Sequence, residues 1–119
     1  MIYITEKFSL DMLPDGILGM MMHLNVIRIK DTRRARTGLV DCENTKGQIA
    51  TSAVGHTEIA AILSELLERP VLPNRITIKM QPDDILFIAT YSGPPLPKGA
   101  TALPERGAIH WYAVSMFKA

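Results

Sequence analysis

The chain has 119 residues, 47% of them apolar and 21% charged, with no charge run or low-complexity tract, which predicts a single ordered domain over 1–119. Thirteen basic against twelve acidic residues leave a net charge of +1, which argues against broad attachment to a nucleic-acid duplex and requires any anionic ligand to be held locally. Apolar runs such as 85–89 and 59–63 fall far short of the roughly 20 residues of a membrane span, the amino terminus lacks a signal pattern, and the one cysteine, Cys42, offers neither a disulfide nor a metal cluster. The expectation is a cytoplasmic protein with no membrane partner, no metal and no other cofactor.

In chain order, residues 2–5 (Ile-Tyr-Ile-Thr) read as a short strand. Phe8 to Leu13, with Ser9 leading, reads as one helical turn stopped by a tight turn at Pro14-Asp15-Gly16. Residues 22–30 read as a strand whose apolar phase changes between Val26 and Ile27, as at a bulge or in a strand covered on both faces. Arg33, Arg34 and Arg36, followed by Thr37–Cys42 and the turn formers Asn44 and Gly47, suggest a polar hairpin or mobile loop. Those arginines fit a solvated surface first and a phosphate-contacting lid second.

The clearest helix starts after Gly55-His56, with Thr57 as N-cap, Glu58 complementing the dipole, Ile59, Ile62, Leu63, Leu66 and Leu67 on one face, and Pro70 ending the pattern. Ile76, Ile78 and Met80 alternate with polar residues, and Pro82-Asp83-Asp84 leads to a second run at 85–91, which predicts a hairpin. A proline-rich surface loop (93–104) and a final interior strand at 109–117 complete about five strands and one principal helix, an α/β domain.

The segment Ser52 to Glu58 carries the chemistry of interest. Gly55 permits close backbone approach, and His56 stands at a helix amino terminus, where backbone donors and the dipole favour a phosphate and an imidazole can supply a proton. Capping or packing is the commoner use of such a histidine. Arg75 could clamp a phosphate with its planar fork, or make a surface ion pair. His23 and His110 read as sheet residues, and no serine elbow, phosphate-binding glycine loop or carboxylate pair is visible.

Four pieces in order, Phe8–Leu13, Ala53-Val54-Gly55-His56, Pro73–Met80, and Leu96-Pro97-Lys98-Gly99 continuing to Ile109 and Trp111, resemble the viral ring-nuclease family, a type III anti-CRISPR family also found in prophages and beside CRISPR loci. The resemblance implies a mixed sheet flanked by helices, a homodimer, and a pocket on the two-fold axis that grips cyclic tetra-adenylate, whose symmetry matches. It implies ring opening without metal: a ribose 2′-hydroxyl attacks the adjacent phosphorus, and a histidine, here His56, protonates the departing 5′-oxygen. Ser9, Asp11, Gly55, His56, Thr57, Arg75 and Lys98 are the ligand-binding positions so implied.

One departure stands out. Where the family usually has an arginine, then a glutamate three residues later, then glycine, this chain has Pro95, Lys98 and Gly99. The change removes a stabiliser of transition-state charge and a carboxylate beside the histidine, and adds a cation that disfavours its protonation. The sequence therefore points to a dimeric binder that sequesters the cyclic messenger with weak or absent cleavage. The alternative is an active ring nuclease in which Glu105 or Arg106 fills the missing role, and a third reading is an interaction module with no nucleotide ligand.

Overall fold

In the computed structural model, which describes residues 1–14 and 22–118, five β-rich runs pair into one sheet. They are β1 (Ile2–Thr5), β2 (Met22–Ile29), β3 (Thr51–Ser52), β4 (Ile85–Ser92) and β5 (Ala108–Lys118), in the order β2-β5-β4-β1-β3. β1 runs parallel to both β3 and β4, and β5 runs antiparallel to both β4 and β2, so the sheet is mixed.

Two helices, α1 (Thr32–Lys46) and α2 (Thr57–Leu67), cover one face. Ala35 and Leu39 of α1 and Ile59, Ala60, Leu63 and Leu67 of α2 pack with Ile2, Ile4, Phe87, Ala89 and Trp111. Each fully buried aliphatic side chain here contributes about 1.5–3 kcal/mol of transfer free energy. Strand alternation sends Leu86 and Ile88 of β4 to the opposite face. There they meet Val114 and Met116 under Ile78, Met80 and the 3-10 turn Leu10–Met12, whose flanks Phe8 and Leu13 add to the cover. The α/β domain with a mixed sheet flanked by helices is thus the fold expected from the sequence.

Several local expectations change. The polar stretch after Arg33 is helix α1, not a hairpin or loop. The Asp31 side chain accepts from the Arg34 amide at 2.8 Å to cap its start, and Gly47, left-handed at φ 64°, ends it. Only Ala35 and Leu39 of α1 are buried, so its apolar stripe is too thin to announce a helix.

Residues 76–80 form no strand and pair with no part of β4. Ile78 and Met80 are buried, as their alternation implied, but the segment lies over the sheet, held by the Met80 amide donating to the Met12 carbonyl at 2.7 Å. The strand count is met by β3 instead.

β2 carries no bulge. Its register with β5 is unbroken from Met22 opposite Lys118 to Ile29 opposite Trp111. It is an edge strand, and residues 23–28 are exposed on both faces, which explains the mixed phase without any cover. The N-cap of α2 is His56 rather than Thr57, one residue earlier than expected. β5 does sit inside the sheet, and Asp15 and Gly16 of the expected turn lie outside the described residues.

Because β1, β3 and β4 are parallel, their carboxyl ends share one edge of the sheet, the edge where open α/β sheets bind ligands. Residues 6–7, 53–56 and 90–96 therefore converge.

Candidate functional site

An open cleft of ≈ 430 Å³ lies at that edge, lined by Thr5, Glu6, Lys7, Gly55, His56, Arg75 and Thr77 among others. A second depression of ≈ 560 Å³ shares Glu6, Lys7 and His56 and continues to Thr90, Tyr91, Pro95 and Leu96. Its volume and the first cleft's both fall within the range of about 300–1,000 Å³ seen for small-molecule sites.

The chain enters the site straight from β1. Glu6 sends one carboxylate oxygen to the amides of Gly55 (3.0 Å) and His56 (3.1 Å). These are the donors that the sequence offered to a phosphate. An internal carboxylate holds them instead, for the same reason a phosphate would: orphan N–H groups at a helix start attract negative charge. Positive charge at the cleft comes from Lys7 and Arg75.

Arg75 lies in the extended segment after Asn74, whose amide donates to the Val54 carbonyl at 2.8 Å. Its Nε donates to the Gly55 carbonyl at 3.3 Å. A β-carbon added at Gly55 would stand 3.1 Å from Arg75 Cγ, so glycine here lets the arginine stem lie close against the backbone.

His56 is 53% exposed, and its Nδ1 is 3.3 Å from a carboxylate oxygen of Glu58. The other Glu58 oxygen accepts from the Gly99 amide at 3.1 Å. That donated N–H, with smaller contributions from the charges of His56 and Lys98, holds the Glu58 carboxyl below its ordinary value. The loop carrying Pro95, Lys98 and Gly99 is thereby tied to the first turn of α2.

Of the residues singled out from the sequence, Gly55, His56 and Arg75 meet in the first cleft, and Pro95 lines the second. Ser9 and Asp11 line neither; Ser9 precedes the 3-10 turn, its carbonyl accepting from the Met12 amide, and of that turn only Met12 reaches the cleft. Thr57 opens α2 from an exposed position beside the cleft, and Lys98 reaches the site through its effect on Glu58. Arg33 and Arg34 lie on α1 beside Asp31 and Asp41, and Arg36 pairs with Glu68, so the three arginines belong to a different surface. His110 Nε2 is 2.8 Å from Ser92 Oγ, and His23 stacks on Phe117 with ring centroids 5.5 Å apart.

Glu6, Lys7 and Glu58 escaped the sequence reading as site residues. The one local signal for Glu6 and Lys7 is their place directly after a strand that proves to be parallel. Among the described residues, no three His, Cys, Asp or Glu side chains gather to hold a metal ion, and no helix is long and apolar enough to cross a membrane.

No curated protein matches the chain. Among solved structures, B116 of Sulfolobus turreted icosahedral virus (STIV) shares its fold at a TM-score of 0.73 and 19% identity, covering 96% of this chain and 97% of that one. The model of the STIV B116-like family matches residues 19–106, well over half the length, and the chain accordingly belongs to the STIV B116-like family.

Proposed function

We propose that the protein is a dimeric binder of a cyclic oligonucleotide messenger, cyclic tetra-adenylate by the resemblance of its motifs to viral ring nucleases, which it sequesters in the cytoplasm to suppress CRISPR-type antiviral signalling. The observation that carries this reading is the cleft at the carboxyl edge of β1, β3 and β4, where Lys7, His56 and Arg75 gather. Two cations beside an imidazole suit a phosphodiester, and a net charge of only +1 suits a small local anion better than a duplex.

A ring of four nucleotides exceeds one cleft, which supports two-fold pairing with an identical half-site from each subunit. β2 supports the pairing as well. It is an unprotected edge with Leu24, Val26 and Ile27 39%, 57% and 53% exposed, beside Phe117 of β5 at 53%. Exposed apolar edges of this kind invite a second chain.

Weak cleavage follows from the loop. Pro95 reaches the second depression without bringing the cation that would meet charge developing on a pentavalent phosphorus. The contact of His56 with Glu58 favours the second reading, an active ring nuclease. In that reaction the 2′-oxygen bonds to the adjacent phosphorus, its proton passing to water. The bond from phosphorus to the 5′-oxygen breaks with its electron pair on oxygen, and protonated His56 supplies the proton. Repeated at the opposite phosphate, the step gives two linear di-adenylates with 2′,3′-cyclic phosphate and 5′-hydroxyl ends.

Incubation with cyclic tetra-adenylate, followed by denaturation and separation of the nucleotides, tests both. Intact ring carried by the protein is the expected result, and linear di-adenylate at many turnovers would establish the alternative. A panel of cyclic di-, tri-, tetra- and hexa-adenylates that leaves Tm unmoved would favour an interaction module.

A further inference from the structure

An exposed imidazole at a helix N-cap samples several rotamers and both neutral tautomers unless a partner fixes it. We infer that Glu58 is the positioning residue for His56, setting its imidazole by the charge of one carboxylate oxygen beside Nδ1 while the other oxygen grips the backbone of Gly99. The assignment rests on the proposed use of His56 toward a cyclic nucleotide, but its structural part can be tested without any nucleotide.

One oxygen of Glu58 accepts a hydrogen bond from the Gly99 nitrogen at 3.1 Å, and the other lies 3.3 Å from His56 Nδ1, an ion-pair contact rather than an aligned hydrogen bond. A carboxylate oxygen 3.3 Å away favours, by its charge, the proton on the nitrogen that faces it over a lone pair there. The neutral ring is then the Nδ1–H tautomer. Nε2, with no partner among the described residues, is left for the clefts that His56 lines. In this form Nε2 accepts from a ribose hydroxyl or an adenine amino group. When the ring is protonated, Nε2–H donates to a phosphate or to a departing 5′-oxygen, and Glu58 faces the cation. An acid or base oriented by a third group is the general arrangement of such sites.

Glu58 also changes the meaning of Lys98. The loop position that would carry a carboxylate carries an ammonium here, yet His56 keeps a carboxylate two residues away on its own helix. Because Glu58 spans from His56 to Gly99, the substituted loop and the imidazole are fixed to each other. Residual ring opening would run through this pair, with the missing arginine as the main loss.

Long-range proton–nitrogen NMR correlations of the His56 ring, recorded in the full chain at alkaline pH, report the tautomer directly. The expected result is Nδ1–H in the parent. In Glu58→Gln the amide oxygen takes the Gly99 N–H and the amide NH2 turns to Nδ1, so the ring must switch to Nε2–H. Single-turnover cleavage of labelled cyclic tetra-adenylate by Glu58→Gln should fall at least about tenfold from the parent's residual rate, with ring affinity within about twofold. Nε2–H in the parent, or the same tautomer in both proteins, would overturn the assignment, and the parent spectrum needs no variant to fold. If the ring binds neither protein, the proposed function falls, and the tautomer still decides for or against Glu58.

Discussion

Two carboxylates on the helical side of the sheet each lie between a backbone amide and a basic side chain, one hydrogen-bonded to its cation and one only beside it. Glu43 of α1 meets the guanidinium of Arg69, just beyond α2, with both oxygens, and also accepts from the Ala50 amide at 2.7 Å. Glu58 of α2 accepts from the Gly99 amide and lies 3.3 Å from His56 Nδ1. The difference lies in the basic partner. Arg69 is always charged and 23% exposed, so its pair ties α1 to the end of α2. His56 is 53% exposed at the mouth of a cleft. A carboxylate beside a basic side chain is a structural tie where that partner is packed between helices, and part of a candidate site where the partner is exposed beside a cleft.

The largest expected effect breaks the tie. Arg69→Ala leaves Glu43 without its charged partner and should lower stability by about 1–2 kcal/mol, the scale of charge-assisted hydrogen bonds. That corresponds to roughly 4–8 °C in Tm at about 4 °C per kcal/mol, with affinity for cyclic tetra-adenylate unchanged. Arg75→Ala should do the reverse, leaving Tm in place and weakening ring binding about tenfold, roughly 1.4 kcal/mol, by calorimetry. Equal affinities for the two variants would show that the cleft is not the binding site.

Acid sharpens the contrast. The hydrogen-bonded Arg69 guanidinium holds the Glu43 carboxyl below its ordinary value. A depressed folded value means stability that is present above the unfolded carboxylate value, about 4.3, and lost as pH falls through the folded one. Glu43→Gln should therefore flatten the fall of Tm below about pH 4.3 and lower Tm at neutral pH. A parallel downward shift at every pH would contradict the role given to the charge.

Restoring the loop tests the other carboxylate's surroundings. Pro95→Arg with Lys98→Glu, made together because residues acting on one transition state are not additive, should raise the single-turnover cleavage rate. His56→Ala in that background should abolish the gain, while in the parent it should change ring affinity only modestly. The smallest effect belongs to Gly55→Ala. The added methyl crowds the flexible stem of Arg75 at 3.1 Å and meets Glu6 Oε1 at an ordinary 3.7 Å, so Tm should move little while ring affinity falls by a few-fold.

Helix α2 and strands β4 and β5 were legible because period and burial agree: Ile59, Ile62, Leu63 and Leu67 recur at helical spacing, and Leu86–Ala89 are buried on both faces. α1 was hidden because two buried residues, an Asp31 cap and a Gly47 stop shape a helix that composition reads as loop. Ile78 and Met80 alternate as a strand would, yet they pack over the sheet, since burial on one side needs no pairing.

At the site, Gly55-His56 and Arg75 could be found because glycine before a helix and a lone arginine are local signals. The bonds of Glu6 to residues 49 and 50 positions away, and of Glu58 to Gly99, exist only once the parallel strands bring those segments together. The proposed function is argued from His56, while the carboxylates that surround it needed the fold.

The most direct test of the central claim is to purify the protein with cyclic tetra-adenylate and identify, by mass spectrometry after denaturation, the nucleotide it retains. One intact ring per two chains is the result this account predicts, and it tests ligand, dimer and slow turnover at once. A protein that retains no cyclic nucleotide, or that converts the ring rapidly to linear di-adenylate, would contradict it.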